Sequence, residues 1–178
     1  MISIKAKKIT ALALTLLMSL TVLTACGDQK TPASSADQQK TESQVLTKDE
    51  YVEKVKNLSM EVSEITNKYS ADIQSSDVNA AADATSQLIS EIKPIYEEMG
   101  ALNAPEEFAS QQSTIKAGCD ASVEILNLSL ELIDLGRGEI EGNEEEIANK
   151  VTELNSKITD LTSQAQEMTA AITEVITA

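Results

Sequence analysis

Among the side chains that most often do covalent or acid–base chemistry, this 178-residue sequence has two cysteines and 29 acidic residues but no histidine; it also has three tyrosines and no tryptophan. The absence of histidine excludes Ser-His-Asp and Cys-His catalysis and any imidazole metal site. Three tyrosines and one phenylalanine offer few platforms on which bases or sugars could stack. The two thiols, Cys26 and Cys119, are therefore the first residues to consider.

Cys119 lies on an apolar stripe, four residues after Ile115 and seven before Leu126. This position predicts a buried thiol that packs as a small hydrophobic residue. A reactive thiol would need a nearby cation or a helix N-terminus, and the middle of a predicted helix supplies neither. The neighbouring Gly118 predicts either a close approach of two helices or a bend.

The densest acidic stretch, residues 139–146, has two interpretations. Clustered carboxylates are the ligands that calcium prefers. The spacing does not match an EF-hand loop, because Gly136 and Gly138 stand where ligands would be needed if Asp134 opened the loop. Acidic residues also stabilise a helix N-terminus. We interpret the stretch as a capped, solvated helix start and predict no metal site.

No pair of carboxylates stands out as a general acid and base, and the sequence contains neither a Gly-rich phosphate loop nor a CxxC motif. Tyr51, Tyr69 and Tyr96 would form a polar aromatic site only if they met at one end of the fold. We interpret them as residues at the edge of the core, with hydroxyls that reach water. The sequence therefore predicts a protein that is not an enzyme and needs no cofactor.

The N-terminus has the order of features that marks a secretory signal peptide. Lys5, Lys7 and Lys8 form a basic region, followed by an uncharged apolar segment from Ile9 to about Val22. That segment is shorter than the ~20 apolar residues of a membrane span. It ends in Leu23-Thr24-Ala25-Cys26, which resembles the lipobox of bacterial lipoproteins.

The resemblance implies cleavage between Ala25 and Cys26 and thioether lipidation of Cys26, with acyl chains such as palmitate at the new N-terminus. Several buried acyl chains hold a protein on a membrane far better than one. A lipidated Cys26 would also leave Cys119 without a disulfide partner. Because Gly27, and not an aspartate, follows the lipidated residue, we expect an anchor on the outer face of a Gram-positive cell membrane.

The sequence thus divides into a signal peptide (residues 1–25), a lipidated tether (26–44) and a domain (45–178). The tether is rich in Ser, Thr, Gln, Asp and Ala, with one proline and no aromatic residue. Such a segment cannot bury enough apolar surface to order itself, so we predict a disordered, flexible tether. The remaining length suits one domain with its own core.

The domain contains four segments whose apolar residues recur at steps of three and four, as in amphipathic helices. The first is predicted from about Lys48 to Ala71 or a little beyond, with Thr47 and Glu50 as its capping box. The second is predicted from about Val78 to Met99, with Ser76 or Asp77 as its cap, a kink at Pro94 and Gly100 as the residue that follows it.

The third segment is predicted to begin with Pro105 in its first turn and to run to about Leu135. The partial alternation in residues 125–135 would also suit a strand. We favour a helix, because no second strand-like run exists to pair with it. The fourth helix is predicted from Glu144 onward, with Asn143 and Glu146 as its cap.

Four amphipathic helices with short connections predict an all-α fold, an antiparallel up-down four-helix bundle. The alternative is a three-helix core with a broken second helix, since Pro94 and the Ala-rich residues 80–84 weaken that segment. A long intermolecular coiled coil is disfavoured, because Gly and Pro interrupt the apolar seams.

Removal of residues 1–25 takes away three of the 14 basic residues and no acidic ones, which leaves 11 basic against 29 acidic residues and a formal charge of −18. This charge argues against nucleic acid or anionic lipid as a partner. With its tether, its helices and the "APEEF" helix start at residues 104–108, the chain resembles the small all-helical lipoproteins of Gram-positive surfaces.

We therefore expect a membrane-anchored, extracytoplasmic lipoprotein that acts as a non-enzymatic helical interaction module for an envelope protein. The alternative is a binding protein for a small apolar or cationic ligand held between helices, because bundle cores can host such sites.

Overall fold

The computed structural model describes residues 45–138 and 143–178. Within these ranges the chain forms helices α1 (Lys48–Ile73), α2 (Val78–Gly100), α3 (Ala109–Arg137) and α4 (Glu144–Thr177), and no strand. A short 3₁₀ turn, Glu106–Phe108, leads into α3. The helical assignment of the ambiguous residues 125–135 is confirmed.

Helices α1, α2 and α4 each begin where a side chain satisfies free backbone N–H groups, whereas α3 has no side-chain cap. Thr47 and Glu50 form the predicted capping box of α1, and Asn143 and Glu146 form that of α4. At the start of α2, the Asp77 carboxylate accepts hydrogen bonds from two backbone N–H groups. These caps set the three helix starts at the positions that the sequence predicts.

The four helices pack in the order of the chain, and α1 also packs on α4, which closes an antiparallel up-down four-helix bundle. The α3–α4 interface is the most extensive and the α1–α4 interface the least. Helix α2 buries side chains along its whole length, from Ala81 to Gly100, and continues without interruption through the exposed Pro94. The alternative of a three-helix core with a broken second helix is therefore wrong.

The core has two parts. The larger part is built from all four helices and includes Tyr51, Met99, Cys119 and Met168. The smaller part lies between α3 and α4 alone and consists of Ile125, Leu132, Leu135, Leu154, Ile158 and Ala165. The apolar seam of α4 therefore serves both parts, which explains why it is the most regular seam in the sequence.

Two predicted helix ends are wrong. Gly100 is the last residue of α2 and does not follow the helix, and its small size serves the contact with α3, since a Cβ there would lie 3.2 Å from the Cys119 Cβ. Pro105 caps the 3₁₀ turn and is not in the first turn of α3. Helix α3 also extends to Arg137 and ends at Gly138, which has a φ of 76°.

Among the residues that the structure describes, three serine or threonine side chains are fully buried: Thr85, Ser122 and Ser129. The first and third donate hydrogen bonds of 2.8 Å to the carbonyls of Ala81 and Ile125. The Ser122 Oγ has no hydrogen-bond partner. A buried hydroxyl without a partner is destabilising, so these two serines of α3 should respond differently to the same substitution.

We expect Ser122→Ala to raise the free energy of unfolding by about 1 kcal/mol, because it removes an unsatisfied buried hydroxyl. Ser129→Ala is the matched control, and it should give no gain because its hydroxyl is satisfied. Urea unfolding followed by circular dichroism measures both. An equal loss of stability in the two variants would contradict the prediction.

Candidate interaction face

The residues that the sequence assigns to the membrane anchor lie outside the described part of the chain. These are Leu23, Thr24, Ala25 and Cys26, together with the tether at residues 26–44. Cleavage after Ala25, lipidation of Cys26 and a flexible tether therefore stay predictions from the sequence.

Cys119 is buried, as predicted, with 1% of its surface exposed. Its Sγ lies 3.5 Å from the Sδ of Met168. Burial raises the pKa of the thiol to about 12. The neutral thiol is the less nucleophilic form and is also shielded from solvent, so Cys119 is a packing residue of the core.

The part of the acidic stretch that the structure describes acts as a helix cap. The Asn143 side chain accepts hydrogen bonds from the backbone N–H groups of Glu145 and Glu146, and the Glu146 carboxylate accepts one of 2.9 Å from the Asn143 N–H. Residues 139–142 lie outside the described ranges. Within those ranges, no three acidic or cysteine side chains are grouped so that they could hold a metal ion.

The three tyrosines do not form one site. Tyr51 is fully buried, and its hydroxyl donates a 2.6 Å hydrogen bond to Gln112, so the expectation that this hydroxyl reaches water is wrong. Tyr69 donates to Glu91 on the surface between α1 and α2. Tyr96 is buried in the core with 2% of its surface exposed. All three rings belong to the larger part of the core.

After its first turn, helix α4 carries its charged side chains on one side only. At the 100° per residue of an α-helix, every charge after Glu146 falls within an arc of about 120°. These residues are Lys150, Glu153, Lys157, Asp160, Glu167 and Glu174. Lys150 pairs with Glu131 at 3.1 Å and the Met168 side chain meets Gly118, so this arc begins at the side that packs on α3.

Beyond the first turn, the opposite side of α4 has no charge, and its stripe of residues 152–173 covers about six turns. Its uncharged polar residues recur at steps of three and four, parallel to the apolar seam, and so form a nearly straight stripe. The stripe consists of Thr152, Asn155, Thr159, Thr162, Gln166, Thr169 and Thr173. Three of these are half-buried, at positions 155, 162 and 169, and the others are exposed.

Helix α1 has a matching uncharged flank. Lys68 and Tyr69 bind Glu91 and so mark the side of α1 that faces α2. The other flank, which borders the groove between α1 and α4, has no charge after Lys56. It consists of Ser59, Met60, Ser63, Thr66, Asn67 and Ser70. We call this flank and the stripe on α4 together the neutral face.

Most hydroxyls of the neutral face are already hydrogen-bonded within their helices. Thr152, Thr159 and Thr173 donate to the carbonyls four residues earlier, each at 2.9 Å, and Thr162 does so at 2.8 Å. A protein that bound here would therefore not leave these donors without acceptors. This lowers the free-energy cost of removing water from the face. Met60, with 45% of its surface exposed, adds an apolar side chain.

Depletion of charged residues is one feature of protein–protein interface cores, and the neutral face shares it. The sequence analysis missed this face, although the signal is present as a second three-and-four repeat beside the apolar seam of α4. This second repeat can be interpreted only once the helices that pack beside α4 are known, and the sequence alone does not give them.

Comparison of the chain with models of protein families, with curated proteins and with solved structures gave no match. In the described part of the chain, no helix is both long and apolar enough to cross a membrane.

Proposed function

We propose that this protein is a lipid-anchored, extracytoplasmic interaction module, which binds an envelope protein through the neutral face and performs no catalysis. The observation that carries the proposal is the confinement of charge to the other surfaces of the bundle. The Leu23-Thr24-Ala25-Cys26 motif supports the anchor, and the absence of histidine supports a non-enzymatic role.

The position of the tether agrees with this role. The Leu46 backbone N–H donates a 3.0 Å hydrogen bond to the Asn103 carbonyl, which holds the chain at the end of the bundle where α1 begins. Lys48 reaches the Ala178 carbonyl at 3.4 Å, so α4 finishes at the same end. On α4 the neutral face spans residues 152–173, about 32 Å at ~1.5 Å per residue, and on α1 it begins at Ser59, beyond the tethered end.

The test uses a photoreactive residue at Gln166 in the full chain, expressed in cells of the organism that encodes it. Gln166 is an exposed residue of the neutral face, and Gln164, two residues earlier, is exposed on the charged side of the same helix. We expect a discrete protein adduct from position 166 and none from position 164. The cells are also fed a labelled fatty acid, which marks the lipidated protein. We expect Cys26→Ser to abolish both this label and the protein adduct.

Equal adducts from both positions would contradict a role for the neutral face. Retention of the acyl label in Cys26→Ser would contradict the anchor.

A further inference from the structure

We infer that Met60 is an oxidation site, at which hydrogen peroxide forms a methionine sulfoxide that weakens binding at the neutral face. The effect on binding rests on the proposed function, because it concerns the partner of that face. The site itself rests on where the fold places the sulfur atoms of the described residues.

The fold separates the sulfur atom of Met60 from the other sulfur atoms in the described part of the chain. Met99, Cys119 and Met168 belong to the larger part of the core, each with at most 2% of its surface exposed. The Met60 side chain lies on the surface of α1, with 45% of its surface exposed. A dissolved oxidant can therefore reach this sulfur while the bundle stays folded.

The core thiol does not compete with Met60 for the oxidant. Cys119 is packed against Met168, with 3.5 Å between the two sulfur atoms. Burial raises the pKa of the thiol to about 12, so the thiolate, which is the form that attacks a peroxide, is scarce at neutral pH. In the folded protein the exposed thioether therefore reacts first.

The reaction at Met60 needs only hydrogen peroxide. The sulfur lone pair attacks one peroxide oxygen and forms the S–O bond, while the O–O bond breaks and the other oxygen leaves with both hydrogens as water. The thioether is oxidised to the sulfoxide, and the peroxide is reduced to water. Because hydrogen peroxide is uncharged, the excess of acidic residues on this chain does not repel it, as it would repel an anionic oxidant.

The bundle tolerates a sulfoxide at this position. Met60 belongs to neither part of the core, so its oxidation removes no core packing. Oxidation of Met99 or Met168 would instead place a polar oxygen inside the core. A change confined to Met60 can therefore be reversed by methionine sulfoxide reductases without unfolding of the domain.

The neutral face depends on Met60 for an apolar contact. Among the described residues, Val45 and Met60 are the large apolar side chains that are exposed. Val45 precedes α1 at the tethered end, whereas Met60 lies within the neutral face. Methionine is enriched at interfaces, where its flexible thioether adapts to the partner. A sulfoxide is polar, and its burial under a partner costs free energy, so oxidation should weaken the contact.

The first experiment treats the purified full chain in detergent with hydrogen peroxide and follows each sulfur atom by mass spectrometry of peptides. We expect the sulfoxide to form at Met60 at least about tenfold faster than at Met99 or Met168, and we expect the Cys119 thiol to persist. Similar rates at the three methionines, or earlier oxidation of Cys119, would overturn the site.

The second experiment repeats the photocrosslinking from Gln166 in cells, with and without a pulse of hydrogen peroxide. We expect the pulse to lower the adduct by at least about fivefold in the unsubstituted chain. It should leave the adduct unchanged in Met60→Leu, which keeps an apolar side chain of similar volume but has no sulfur. Met60→Gln, which imitates the polarity of the sulfoxide, should lower the adduct without peroxide. Val45→Gln is the matched control and should leave it unchanged.

The outcomes distinguish the effect of oxidation from the proposed function. If the adduct forms in untreated cells and persists in Met60→Gln, the proposed function stands and the effect of oxidation is wrong. An equal loss after the pulse in the unsubstituted chain and in Met60→Leu would also overturn this effect, because the oxidised group would then lie elsewhere. If position 166 gives no adduct in any cells, the proposed function and the effect of oxidation both fail.

Discussion

Gly118→Ala is expected to lower the free energy of unfolding by about 2 kcal/mol, although alanine is the better helix former by about 1 kcal/mol. A Cβ at position 118 would lie 2.2 Å from the Met168 Cβ and 2.9 Å from the Gln164 carbonyl oxygen. Neither atom is the end of a flexible side chain. Helices α3 and α4 would have to separate where their interface is most extensive, and urea unfolding measures the cost.

Two controls separate this overlap from a general effect of glycine replacement. Gly100→Ala places a Cβ 3.2 Å from the Cys119 Cβ, which a small shift can relieve, so its effect should be clearly smaller. Met168→Ala should not rescue Gly118→Ala, because the overlap involves the Met168 Cβ itself. A stabilised Gly118→Ala variant would show that α3 and α4 do not cross this closely.

The sequence predicted the features of this fold that depend on neighbours in the chain. The caps at Thr47 and Asn143 need only residues three positions away, and the apolar seams need only the helical repeat. The ends at Gly100 and Pro105 were wrong for the opposite reason. The glycine at position 100 allows close contact with Cys119 on another helix. Rules based on helix propensity consider only neighbours in the chain and cannot predict that contact.

The candidate site was less predictable than the fold. Cys26 has a local motif, so its role could be predicted from four residues. The neutral face has no motif of its own, because Thr and Gln are ordinary residues on any exposed helix. Its character comes from the absence of charge on two flanks, at residues 59–70 and 152–173, that only the packing of α1 beside α4 brings together.

A buried polar network at the tethered end of the bundle leads to the second large prediction. The Gln112 amide donates 3.2 Å hydrogen bonds to the carbonyls of Met99 and Gly100, at the C-terminus of α2. Its oxygen accepts the 2.6 Å hydrogen bond from Tyr51 on α1. Tyr51 also stacks on Phe108, with ring centroids 5.4 Å apart. One side chain of α3 thus satisfies groups on two other helices.

Gln112→Leu is expected to lower the free energy of unfolding by about 3 kcal/mol, because it leaves the Tyr51 hydroxyl and the end of α2 without their partners in a buried site. Tyr51→Phe should cost about 1.5 kcal/mol, since it removes one hydroxyl and keeps the ring packing. Urea unfolding of both variants and of the double variant completes a double-mutant cycle.

The cycle decides whether the three helices are held by one network or by separate contacts. In Gln112→Leu the Tyr51 hydroxyl has already lost its partner, so its further removal should cost nothing or even stabilise the protein. The double variant should therefore be at least about 1 kcal/mol more stable than the sum of the single losses predicts. Additive losses would mean that Tyr51 finds another partner, and that α1 does not depend on Gln112 for its place in the bundle.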